Sequence, residues 1–527
     1  MPKTGLSPRR CLRALRRLLI LPATLLLSLT PGSSTDDAGA LLASYRLGAE
    51  NSWIRVQNMG QANAVLELNY FDEQGRLAGQ DACPSATCPL LYPGSGWTFF
   101  QRDNPNLPRG FQGSAVVSTD QPIVALQAKD FMRAEKFSIA GDTVAANGGS
   151  HRLFLPLTAK RDGPNGSWNG RFAVQNLSDT VTACVTLTYL SIAADDEVAW
   201  EPYRPGPNAP SRLPGCPEGG MPLPPRGTLF RDPDTMIVPN GFTGSVRIDL
   251  AKNAQNQGPE KQFVTATADS WNSTIASFAS YRGFDEADLG KEIVLPLIDR
   301  QVGPESSYST RFQISNRDPS KPAQIQLTFQ GWDLGANPPV FVEKRSSFTV
   351  KGARFCFQDR DDLANCLAEG DRLPFNFIGT ARITSSEPIA VIVDRGTFIN
   401  EGFTNYRGVR PQDGARRVLL PVLNKNYGRT AGANGWNSWF RVMVTDGGRA
   451  SVTVKYFGLD LPGGSVAYTV PVEREFTVFQ YLESALPDGF AGTAIIESDR
   501  PIVALADLFT DVFKGDPDFI YNGIAVD

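Results

Sequence analysis

The chain has 527 residues, more than one compact domain holds, and about three to five domains are expected. Its 41% hydrophobic and 20% charged residues are an ordinary globular balance, and 49 Gly with 39 Pro favour many turns and short strands. The formal net charge of −4 becomes −8 if residues 1–40 are removed with their six cationic and two acidic side chains, which argues against a nucleic-acid partner.

Residues 1–40 read as a signal peptide. Lys3, Arg9, Arg10, Arg13, Arg16 and Arg17 form a basic end, residues 18–29 a short apolar run, and TPGSSTDDAGA a small, polar stretch suited to cleavage before Leu41. The run is shorter than the roughly 20 apolar residues of a membrane-spanning helix, and no later window reaches that length. An uncleaved anchor is the alternative, because a basic end suits it equally. Cleavage implies a secreted or cell-envelope protein with no transmembrane segment in the mature chain.

Beyond residue 40, four features recur in one order. A strand ending in Asn appears as WIRVQN (53–58), RFAVQN (171–176) and RFQISN (311–316), with WFRVMV (439–444) as its fourth copy. A strand ending in aromatics follows as AVLELNYF (64–71), CVTLTYL (184–190), QIQLTF (324–329) and SVTVKYF (451–457). A Phe-Gln pair stands at Phe100 and Gln101, Phe357 and Gln358, and Phe479 and Gln480. The fourth feature is LPRGFQGSAV, VPNGFTGSVR, LPFNFIGTAR and LPDGFAGTAI, beginning at Leu107, Val238, Leu373 and Leu486. LFLPL (153–157), IVLPL (293–297) and VLLPV (418–422) open repeats two to four, each after a stretch with an aromatic and a Gly. The repeats are therefore drawn at 41–150, 151–288, 289–412 and 413–527. Units of that size bury their own cores, unlike short solenoid repeats.

Counting from Gly113, Gly244, Gly379 and Gly492, apolar residues stand two and four places on, the latter being Val117, Ile248, Ile383 and Ile496. Arg247 and Arg382 occupy the place between, so the period is two, as in a half-buried strand. A polar turn with Pro and an all-apolar run follow in repeats one, three and four, which predicts a β-hairpin packed on a core. Helix signals are scarce; RDDLANCLAEG (360–370) offers one or two turns. The expected fold class is all-β, with four tandem antiparallel β-sandwich domains of immunoglobulin-like style after the N-terminal signal segment.

Cys11 lies in the signal, and the other six cysteines fall into close pairs: Cys83 with Cys88, Cys184 with Cys216, and Cys356 with Cys366. Each pair lies inside one repeat, so sequential disulfides are expected. Their irregular spacing and the single His argue against a zinc site.

The recurring text resembles uncharacterised exported bacterial proteins built from tandem immunoglobulin-like or fibronectin-like β-sandwich repeats. The shared pattern is W-N-S-x-(I/F)-x-V-Q-N, then Y-(Y/F)-D-x-x-G, then L-P-x-G-F-x-G-S-A-V-V-x-S-x-x-P-I-V-A, and it covers residues 45–525. The resemblance implies a structural repeat and brings no catalytic residue with it.

His151, the only histidine, opens repeat two and has no counterpart elsewhere, so a surface linker role is expected. No pair among the 55 acidic residues is set in an aromatic motif of the kind a glycosidase would show. Calcium is the one cofactor with candidate ligands: Asp359, Asp361 and Asp362 first, then Asp285, Glu286 and Asp288, and Asp516 with Asp518. The competing reading is charged loops that keep sheet edges soluble. Trp168, Tyr308 and Trp436 recur at one position, and Trp97 aligns with Phe476; these are expected in cores. Trp200, Trp271 and Trp332 have no equivalents and are the binding candidates, as loop aromatics suited to sugar or protein contact. The Pro-rich insertion at 193–227 sets repeat two apart. The functional expectation is an exported, non-enzymatic, multi-domain surface or extracellular protein, structural or adhesive, whose partners are other surface or matrix proteins or glycans. The alternative is a carbohydrate-binding exoprotein using loop aromatics of individual modules; a third reading is an assembly subunit joined by strand exchange.

Overall fold

The computed structural model describes residues 50–526 apart from 134, 145–148, 193–215, 218, 256, 304–307, 359–365, 369–370, 398–400 and 459. The signal segment, Trp200, Asp359, Asp361, Asp362 and most of the 360–370 stretch lie outside the described residues. Among the described residues the chain is all-β, with helix confined to short 3₁₀ turns. No helix there is long and apolar enough to cross a membrane.

Strands pair in four groups that follow the repeats. In repeat four, one sheet runs in the order Ser465–Val472, Ala450–Phe457, the first half of Phe490–Thr510, and Ala415–Lys425. The other runs Glu475–Phe479, Trp436–Val444, the second half of Phe490–Thr510, and Asp518–Asn522. Repeats two and three keep this order. The two sheets enclose one apolar core per group, as in a β-sandwich.

The line expected to be a hairpin is not one. In repeat one Gly113–Thr119 pairs with Leu66–Asp72, whereas Ile123–Arg133 pairs with Glu50–Asn58 and Lys136–Thr143. In repeats three and four the line is a single 21-residue strand, Phe377–Thr397 and Phe490–Thr510, that starts in one sheet and ends in the other. Pro388 and Pro501 sit where it crosses. Having no N–H, they give up no ladder bond there. The core positions stand as expected: Ile248, Ile383 and Ile496 are fully buried, while Val117 is half-buried. The equivalents of Gly113–Thr119 are flanked by Arg152–Lys160, Gly290–Arg300 and Ala415–Lys425; no described strand covers that side in repeat one.

The repeated words have local causes. A side chain on Gly113, Gly244, Gly379 or Gly492 would strike the backbone oxygen of Phe71, Leu190, Gln330 or Phe457 on the neighbouring strand. The ring of the Phe two residues earlier folds over each of these glycines. The residue just before that Phe has positive φ: Gly110, Gly241 and Gly489, with Asn376, which tolerates that region, in repeat three. The strand-ending Asn ties loops together. Asn58 Nδ2 donates to the carbonyls of Ala62 and Leu91, both at 2.8 Å, and Asn176 Nδ2 donates to those of Val181 (2.7 Å) and Leu223 (3.0 Å). The Gln of the Phe-Gln pair donates to a core tyrosine, Gln101 to Tyr70 (3.0 Å) and Gln480 to Tyr456 (3.3 Å).

The LPL openings make the seams between repeats. Pairing slips around Pro156, Pro296 and Pro421 and leaves peptide groups outside the ladder. A tyrosine of the opposite sheet takes the next residue's groups: Tyr281 hydroxyl donates to Leu157 O (2.6 Å) and accepts from Leu157 N (3.0 Å), and Tyr521 does the same at Val422. The proline carbonyl is free to face the following repeat. Pro156 O accepts from Gln313, Pro296 O from Arg441 Nε (2.7 Å) and Pro421 O from Arg55 Nε (3.0 Å). The last of these joins repeat four back to repeat one. The final strands complete the circle: Lys136–Thr143 packs on Phe278–Arg282 and on Asp518–Asn522, and Phe403–Arg407 packs on the same two. Lys514–Asp516 also pairs, in parallel, with Lys136–Ser138. The four groups therefore close into a ring.

Candidate functional site

Trp332 lies in the strand Ala323–Asp333, not in a loop. Phe329, three residues before it, is buried in the core, so the alternation of the strand turns Trp332 outward. Its cross-strand partner Phe341 meets it edge-on at 5.6 Å, and Ile378 is its partner on the other side. Phe341 is 42% exposed. The Arg474 guanidinium of repeat four stands 5.3 Å over its ring, and Arg474 Nη1 reaches Gln330 Oε1 at 3.4 Å. The result is an outward aromatic face edged by a cation. Trp271 is likewise in a strand, Val264–Asn272, half-buried beneath Arg171 at 5.7 Å. It belongs to the seam between repeats one and two, which corrects its placement in a loop.

Of the recurring aromatics, Trp168 and Trp436 are half-buried and reach across seams, Trp436 packing on its own core as well. Trp168 packs on Phe403 of repeat three at 4.8 Å and Trp436 on Phe137 of repeat one at 6.2 Å, while Tyr308 lies 3.9 Å under Arg395. Trp97 and Phe476 do face their cores.

His151 is half-exposed with Nε2 3.6 Å from Glu286, which also holds Arg152 Nη1 (3.1 Å) and Arg317 Nη2 (3.0 Å). Of these groups, Arg152 and Arg317 line a cleft of about 320 Å³ between repeats two and three, with Arg247, Lys321 and Glu387 also on its walls. Glu286 and Asp288 are thus counter-ions of arginines, and Asp285 accepts the Asp288 N–H at 2.8 Å; none of the three is arranged as a calcium loop. Asp516 and Asp518 are buried, so neither a solvated loop nor an exposed ion site describes them. Asp516 accepts the N–H groups of Phe278 (2.7 Å) and Phe403 (3.0 Å) and so joins repeats two, three and four. No group of three metal-binding side chains occurs among the described residues.

Two buried charge networks contrast. Between repeats one and two, Asp269 receives Lys129 Nζ (2.8 Å) and Arg171 Nε (2.7 Å), and Arg171 also pairs with Glu50. Burial alone would raise the Asp269 carboxyl, but Lys129 and Arg171 hold it down to about 2. Between repeats three and four, Arg395 Nε binds Asp299 (2.6 Å) and Nη1 lies 3.7 Å from Asp507, with Asp518 and Asp516 beyond. Burial, reinforced by Asp518, pushes Asp507 and Asp516 well above the usual carboxylate range.

All three disulfides join the pairs expected from their spacing: Cys83–Cys88, Cys184–Cys216 and Cys356–Cys366. Comparison with protein families and with curated proteins found no match. Among solved structures the chain is similar to the crystal structure of Thermotoga maritima 1070, at 16% identity over 22% of this chain and 97% of that one, with a TM-score of 0.18. A likeness of that size carries no argument about fold or function.

Proposed function

We propose that the chain is an exported, non-enzymatic surface or extracellular protein, built as four tandem immunoglobulin-like sandwich domains on the repeat boundaries, with a structural or adhesive task toward surface proteins, matrix proteins or glycans. One observation carries this reading: each recurring feature is used in holding a core or a seam, through the glycine–carbonyl contacts, the Asn and Gln bonds and the proline carbonyls. Three disulfides fit an oxidising compartment. The protein from residue 41 onward should bind saturably to isolated cell envelopes and leave their polysaccharides uncut. Release of sugar fragments, or the lack of any saturable binding, overturns the proposal.

The outward pair of Trp332 and Phe341 favours a second reading, a carbohydrate-binding exoprotein. On a glycan array, Trp332→Ala should then lose at least about tenfold in binding, the size expected for an aromatic anchor. Unchanged binding would remove this reading and leave the first intact.

A further inference from the structure

Among the described residues, repeat one has the sandwich of its neighbours with one strand fewer. In repeats two to four the strand carrying the repeated glycine is flanked on its outer side by Arg152–Lys160, Gly290–Arg300 or Ala415–Lys425. Gly113–Thr119 pairs with Leu66–Asp72 alone. The core of repeat one is open along that side. Leu107, Phe111, Ala115 and Val117 pack on it but are only half-buried. Their counterparts in the other three repeats are at most 4% exposed. The edge is also unguarded. Its sequence, GSAVVST, holds neither a charge nor a proline. The outermost strands of the same sheet in repeats two to four carry Pro222, Glu343 with Lys344, and Pro471, the residues that keep an edge from pairing with a foreign strand.

The chain's own sequence does not supply the missing strand. Counted back from Glu50 as they stand from Trp168, Tyr308 and Trp436, the phrases LFLPL, IVLPL and VLLPV fall on residues 32–39, GSSTDDAG, which hold no large aliphatic. The receiving side agrees. Gln313, Arg441 and Arg55, which bind the three proline carbonyls, share one strand position, and repeat two has Ala173 there. A second copy has no spare strand of this kind, because each of the three phrases is paired within its own repeat. We infer that the open edge of Gly113–Thr119 receives an extended segment of another protein, rich in large aliphatics like the three opening phrases, as an added antiparallel strand. Main-chain bonds to the edge hold the segment, and its alternate aliphatic side chains close the core over Ala115 and Val117. The inference does not depend on whether the protein is adhesive.

The test uses labelled peptides of the chain's own opening phrases, HRLFLPLTAK (151–160) and KEIVLPLIDR (291–300), as surrogate segments. Fluorescence anisotropy with the full mature protein should show saturable binding of at least one of them and none of its scrambled form. Amide exchange should show protection rising in Gly113–Thr119 on binding and unchanged in the equivalent first half of Phe490–Thr510. Val117→Asp should weaken binding at least about tenfold, because it places a charge under the added strand. If that variant does not fold, the exchange measurement on the wild type decides the matter. Failure of the folded wild type to bind either peptide, equal binding of the scrambled form, or undiminished binding by folded Val117→Asp overturns the inference. So does protection of Gly113–Thr119 before any peptide is added, equal to that in repeat four, which would show the edge filled by this chain. Dimerisation in light scattering that the peptide reverses would assign the edge to a second copy and overturn the assignment to another protein.

Discussion

The first and third seams of the ring bury charge in opposite balance. Between repeats one and two, Asp269 and Glu50 face Lys129 and Arg171, so each charge has a partner of the other sign. Between repeats three and four, Arg395 is set among Asp299, Asp507 and Asp518. A buried pair breaks even only when both members are satisfied, so the first seam is stable whenever its acids are ionised. The cluster around Arg395 has more acid than that arginine can match, and protons must supply the remainder. Similar strand packing thus joins repeats whose seams respond to pH with opposite sign.

The largest effect is expected from Arg395→Met. It leaves Asp299 and Asp507 buried without a cation and should cost about 3–5 kcal/mol at pH 7.5. At pH 4.5 the raised carboxyls carry protons, and the loss should shrink to less than half. Urea denaturation at the two pH values checks this, and an equal loss at both would contradict the account of the seam.

Asp130→Asn probes the same physics on repeat one, which otherwise belongs to the balanced seam. Burial raises the Asp130 carboxyl to about 6, and Arg102 only partly offsets it. A carboxyl raised on folding stabilises while protonated in both states, and that contribution falls as pH rises from the unfolded value near 4 to the folded value. The variant should therefore be more stable than the wild type above pH 6, by at most about 3 kcal/mol, and should match it near pH 4. Thermal unfolding from pH 4 to 8 measures the difference, and a gain already present at pH 4 would assign it to packing.

Strands, core positions and disulfide pairs were legible in the text because alternation and spacing are local properties. The crossing at Pro388 and Pro501 was not, because a period of two looks the same in a hairpin arm and in a strand that changes sheets. Trp168 and Trp436 recur like interior residues, yet the face they cover belongs to another repeat, and sequence carries no mark of ring closure. Asp516 and Asp518 read as a solvated turn because the strands that bury them come from distant repeats. Arg282 and Arg407 did leave one signal, an Arg before Gly in both SYRGF and NYRGV where repeat four has Asn522; the two share Asp288 across the boundary of repeats two and three. A charged residue kept inside an otherwise apolar phrase is a cue to look for a buried counter-ion.

Lys129→Met sharpens the contrast from the balanced side. Met fills the aliphatic path of Lys129 but gives Asp269 no donor, while Arg171 Nε remains at 2.7 Å. The loss should therefore be about 1.5–3 kcal/mol at pH 7, that of hydrogen bonding to a charged group and short of an unpaired buried acid. The pH profile separates this from lost packing. A carboxyl lowered on folding stabilises above its unfolded value, and that contribution disappears as pH falls through the folded value. In the wild type the Asp269 contribution should decay between about pH 4 and 2. In the variant the folded value moves up, because Arg171 alone then opposes burial, so less of that decay remains and the two proteins converge below pH 2. Amide exchange in Val264–Asn272, corrected for intrinsic rates, should follow the same course, with protection lost on acidification; in Asp518–Asn522 protection should instead be lost as pH rises from 4 to 8. Loss in the same direction in both strands would show that the two seams do not differ in charge balance.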